Sequence, residues 1–104
     1  MNEKIKEVLN QYPNAVVFEG DSGEIFVVDK PKRPHISRFN KTVMNDPQTA
    51  SENLLRDCVK FPEKEDLEKW ISENPAAVPE LAAEINKLAG GGKKFRKKLI
   101  PRRS

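Results

Sequence analysis

The chain has 104 residues, enough for one domain and too few for two with separate cores. It is 37% hydrophobic and 34% charged, with one cysteine and one histidine, which excludes an internal disulfide and a metal centre built from Cys and His. The net charge of +3 hides an asymmetry: residues 1–92 carry twelve Lys/Arg against sixteen Asp/Glu, a balance of −4, whereas residues 93–104 carry seven Lys/Arg and no acid.

Along residues 3–11, Ile5, Val8 and Leu9 recur at helical spacing, so a short amphipathic helix is expected, ending near Tyr12-Pro13-Asn14. The alternation of charge and apolar residues there leaves no uninterrupted apolar run for a signal peptide. Residues 15–19 and 24–29 are β-branched and aromatic and flank Gly20-Asp21-Ser22-Gly23, the pattern of a hairpin. A lone hairpin is marginal in water, so it must dock on helices, with Val17, Phe18, Ile25 and Val27 expected to supply the contacts. The apolar run at residues 15–18 is far too short to span a bilayer.

Lys30-Pro31-Lys32-Arg33-Pro34 ends the second strand, because proline cannot donate to a ladder. Pro34 can open a helix carrying Ile36, Phe39 and Val43 on one face. Asp46-Pro47 supplies a cap and a first helical residue for the next, whose stripe is Ala50, Leu54, Leu55, Cys58 and Val59, broken by Phe61-Pro62. Leu67, Trp70 and Ile71 mark a helix over residues 64–73, stopped by Asn74-Pro75. Val78, Leu81, Ala82, Ile85, Leu88 and Ala89 mark a last one, ended by Gly90-Gly91-Gly92. The expected fold is α+β: an N-terminal helix, a β-hairpin and a small bundle of about four short helices in one domain, residues 1–92. Residues 93–104 lack apolar periodicity and form an expected disordered basic tail.

Few residues offer chemistry. His35 lies among Lys32, Arg33 and Arg38, with no orienting acid or nucleophile beside it in sequence, and reads as a helix-start histidine. Cys58 continues the stripe of Ala50 and Leu54 and reads as a small core residue. Glu63, Glu65, Asp66 and Glu68 lack the alternating ligands and central glycine of a calcium loop and suit a helix N-terminus. Neither glycine-rich stretch has phosphate-loop context. No catalytic, cofactor-binding or metal-binding residue is therefore assigned, and no cofactor is expected. Trp70 fits a structural role better than an interface anchor. Two basic clusters remain as contacts for an anionic partner: Lys30, Lys32, Arg33 and Arg38, with Lys41 nearby, and the tail residues Lys93, Lys94, Arg96, Lys97, Lys98, Arg102 and Arg103.

The order of residues between Val27 and Val59 has a known counterpart. A hairpin running into Lys30-Pro31-Lys32-Arg33 precedes a helix with Phe39. Asp46-Pro47, Ala50, Asn53-Leu54-Leu55 and Cys58-Val59 then lead to Phe61-Pro62. Over about residues 15–90 this resembles the tail assembly chaperones of long-tailed bacteriophages and prophages. The resemblance implies a non-enzymatic protein of the bacterial host cytoplasm that binds the tape-measure protein and keeps it soluble while the tail tube assembles, with the tail tube protein as a further partner. It also implies a longer form made by ribosomal frameshifting, and Gly90-Gly91-Gly92-Lys93-Lys94 can be encoded by a slippery run of G followed by A.

Two other readings stay open. The seven tail cations suit a nucleic-acid- or ribosome-associated protein, although the body is acidic and only Phe95 could stack on a base. A small regulatory or antitoxin-like module binding one partner protein fits the same composition. The expected partners exclude a membrane.

Overall fold

The structure, a computed structural model, describes residues 3–90. The expected tail lies outside them. Eight elements follow in order: α1 (Glu3–Gln11), β1 (Val16–Glu19), β2 (Ile25–Val28), α2 (Arg33–Val43), α3 (Pro47–Cys58), β3 (Val59–Phe61), α4 (Lys64–Glu73) and α5 (Ala77–Leu88). This is the expected α+β architecture, with one added strand.

Local chemistry sets most of the boundaries. Asp46 caps α3 by accepting the Thr49 N–H at 3.0 Å and the Thr49 hydroxyl at 2.7 Å, and Pro47 follows at the position that needs no N–H partner. At the start of α2, the Lys32 N–H donates to His35 Nδ1 at 3.1 Å, so the histidine acts as a helix-start residue. Glu65 and Asp66 occupy the first turn of α4, where carboxylates meet the positive end of the helix dipole.

The added strand corrects the helical reading of Val59. Its backbone is extended, at φ −77° and ψ 121°, and α3 stops at Cys58 because β2 offers a second edge. The Asp29 N–H donates to the Cys58 carbonyl at 2.9 Å, and Val59 and Phe61 pair with Val28 and Val27. The antiparallel sheet therefore runs β1-β2-β3 with β2 in the centre. The register shifts between Val27 and Val28 on the β3 side, a bulge that strengthens the local twist.

Strand alternation then assigns the faces. Phe26 and Val28 join the main core with Leu54, Leu55 and Cys58 of α3, Leu67 and Ile71 of α4, and Val78, Ala82 and Ile85 of α5. Phe18, opposite Phe26 in the ladder, packs at its margin. Val27 points the other way and is fully buried, because α1 lies against β2 and β3 there and buries Ile5. Val17 is its partner on β1, beyond the cover of α1, and is 38% exposed. So of the four hairpin residues expected to dock on the helices, Phe18 packs on the bundle core and Val27 is buried on the α1 side, whereas Ile25 is half-buried and Val17 is largely left to solvent.

α3 is the central helix, packed against α2 on one side and α5 on the other. Burying each of Leu54, Leu55 and Ile85 contributes about 1.5–3 kcal/mol. The Arg56–Glu68 pair joining α3 to α4 is more than a third exposed on both sides and adds less than about 1 kcal/mol. Apolar burial, not ion pairing, holds the bundle together. Cys58 is 1% exposed, and burial, aided by Asp57, pushes its thiol up to about 12, so it is a core residue.

Candidate functional site

The connection between β1 and β2 is shaped by two glycines. The Gly20 N–H donates to the Glu24 carbonyl at 2.8 Å and the Gly23 N–H to the Gly20 carbonyl at 3.0 Å. Gly23 takes φ +90°, a conformation side-chain-bearing residues rarely adopt, and a Cβ on Gly20 would collide with the Glu24 carboxylate. That close approach folds the Glu24 side chain back over the turn. Its Oε1 accepts the Ser22 N–H at 3.1 Å and its Oε2 accepts the Trp70 indole N–H at 3.3 Å. Trp70 in turn sets its ring at 70° to Phe26, centroids 4.9 Å apart, an edge-to-face pair. One carboxylate thus fastens the hairpin tip to α4.

Between the tip, α4 and α5 lies an open groove of about 460 Å³. Phe18, Phe26, Trp70 and Leu81 form its apolar floor, and all but Phe26 remain partly exposed. Five carboxylates, Glu19, Asp21, Glu24, Glu80 and Glu84, line it, and no Lys or Arg does. Glu84 holds Lys87 at 3.1 Å, whereas Glu19, Asp21 and Glu80 make no ion pair among the described residues. Such a surface selects a ligand with apolar side chains flanked by cations, since an acidic partner would meet several like charges at once.

The titration of Glu24 should be readable at this site. Its own backbone N–H first, then the Trp70 indole and the Ser22 N–H, hold the carboxyl below its ordinary value. A depressed carboxyl stabilises the fold above its unfolded-state pKa and loses that contribution as pH falls through the folded value. Emission from Trp70, the chain's one tryptophan, should therefore shift on acidification with a midpoint below 4.5, the group's ordinary value, and Glu24→Gln should remove that step. A wild-type midpoint above 4.5 would contradict the bond.

The sequence candidates fare differently. Lys32 and Arg33 share a recess with Pro31, Ile36 and Ala89, so the end of α5 lies beside the start of α2. Lys32 also reaches Asp29 at 3.7 Å, Lys30 is exposed, and Arg38 is engaged by Asp57 across the α2–α3 contact, outside that recess. These four cations therefore do not converge on one site. Lys93, Lys94, Arg96, Lys97, Lys98, Arg102 and Arg103 lie outside the described residues. Among the described residues, no three of His, Cys, Asp and Glu come together to hold a metal ion, and no helix is long and apolar enough to cross a membrane. The groove itself escaped the sequence reading, since its walls come from residues 18–26, 70–74 and 77–84. Trp70, read as structural, both packs on Phe26 and presents a face to the groove.

Residues 4–98 match the family DUF6848, described as a domain of unknown function. No curated protein matches the chain. Among solved structures, an uncharacterised protein from Bacillus stearothermophilus is similar at 24% identity with a TM-score of 0.77, covering 85% of this chain and 93% of that one. At that identity the likeness concerns the fold alone.

Proposed function

We propose that this chain, which belongs to DUF6848, a family of domains of unknown function, is a non-enzymatic assembly chaperone acting in the bacterial cytoplasm. Its client is the tape-measure protein of a long-tailed phage or prophage, held soluble until the tail tube closes around it. The resemblance in residue order over residues 15–90 supplies the client's identity. The observation that carries a client-binding role is the groove: partly exposed aromatic and aliphatic side chains ringed by five carboxylates and no cation. An amphipathic helix docks in such a groove through apolar anchors one turn apart, while its own cations settle on the acidic rim. About 460 Å³ accommodates a few side chains rather than a long helix. Each contact is consequently weak and reversible, as a holder that must release its client requires.

Co-expression with the tape-measure protein of the same genome tests this reading. The chain should raise the client's soluble yield, and Glu80→Lys with Glu84→Lys should cut that gain several-fold. Both residues are exposed, so the melting temperature should move little. An unchanged client yield with and without the chain would overturn the proposal. Steeply salt-dependent binding of DNA or RNA in its place would transfer the role to the basic segment and nucleic acid.

A further inference from the structure

The groove is acidic, and the chain carries its own candidate occupant. Residues 93–104 hold seven Lys/Arg, no acid, and the apolar side chains of Phe95, Leu99 and Ile100. That is the chemistry the groove selects, an apolar segment flanked by cations.

Geometry brings the two within reach. α5 presents Ala77, Glu80, Leu81 and Glu84 to the groove and ends at Leu88. Gly90 follows at φ +98°, the left-handed conformation that turns a chain off the end of a helix. Gly90 lies ten residues beyond Glu80, about 15 Å along a helix axis. Five extended residues, from Gly90 to Phe95, span up to about 17 Å. Gly91 and Gly92 put no steric bar on the reversal this needs. Electrostatics acts in the same direction. Ala89 borders the recess of Lys32 and Arg33, which repels a segment with seven cations, whereas Glu80 and Glu84 of α5 and Glu19, Asp21 and Glu24 of the hairpin attract it to the groove.

We propose that residues 93–104 of the same chain occupy this groove, with Phe95 on the floor of Phe18, Trp70 and Leu81 and the Lys and Arg side chains on its acidic rim. The docked segment covers the surface assigned above to the client and competes with it. The competition rests on that client-binding reading, but the docking does not.

Zero-length carbodiimide coupling of the full chain, mapped by peptide mass spectrometry, tests the docking directly. Amide bonds should join Lys93, Lys94, Lys97 or Lys98 to Glu19, Asp21, Glu80 or Glu84. In an equal mixture of light and ¹⁵N-labelled chains each linked pair should be of one isotope. Linkages should fade towards 1 M salt, where the screening length falls to about 3 Å. Trp70 emission of the full chain should shift towards that of an exposed indole on Phe95→Ala. Linkages spread over Glu3, Glu7, Glu65 and Glu73 as often as over the groove would overturn the proposal, as would an unmoved Trp70 emission. Mixed-isotope pairs would overturn it in favour of a second copy as occupant. A separate arm measures the tape-measure protein's soluble yield with the Phe95→Ala chain, which should exceed that with wild type. Groove linkages together with an unchanged yield would uphold the docking and remove the client from the groove.

Discussion

Phe26→Ala should destabilise the protein by about 3–5 kcal/mol, close to the whole stability of a small domain at the lower end of the usual range. Phe26 is 4% exposed, stands opposite Phe18 in the ladder and meets the edge of Trp70. Truncation leaves a cavity between the sheet and the helices and removes the edge-to-face contact with Trp70. At about 4–8 °C per kcal/mol for a domain of this size, the melting temperature should drop by more than about 12 °C. Phe18→Ala removes the same atoms from a half-buried position and should cost roughly half as much. Thermal unfolding followed by far-UV circular dichroism decides the matter. Equal effects at the two positions would mean that the sheet does not rest on the helices through Phe26.

A second result should separate two valines that face each other across the hairpin. Val17→Lys should change stability by no more than about 0.5 kcal/mol, whereas Val27→Lys should abolish folding. The residues share one sheet face and are ladder partners. Val17 is 38% exposed, so an ammonium there stays in water, and the loss of strand propensity is small. Val27 is fully buried beneath α1 and beside Phe61, with no acid among its ladder partners to pair with. The penalty for an unpaired buried charge is several kcal/mol, comparable to the total stability. Urea titrations of both variants provide the comparison. A normal midpoint for Val27→Lys would show that α1 does not cover this face.

These contrasts mark what residue order determined and what only the assembled fold decided. Capping and periodicity are local, so α1, the cap at Asp46, α4 over residues 64–73 and the glycine-bounded hairpin were legible in the sequence. So was the burial of Cys58, because a thiol on an apolar stripe is most simply a core residue. The third strand was not legible: Val59 suits a helix stripe or a strand, and the choice fell to the free edge of β2, brought there by the fold. The inward face of the hairpin was equally undetermined, since alternation offers two faces and only the positions of α1 and the bundle assign each to a neighbour. The groove was the least legible feature. In sequence Asp21 belongs to the turn and Glu19 and Glu24 to the strand runs beside it, while Glu80 and Glu84 fall between the apolar residues that mark the last helix. They become one acidic rim because the Glu24 carboxylate ties the hairpin tip to Trp70 and α5 packs alongside, a juxtaposition of residues more than forty positions apart that no local pattern encodes.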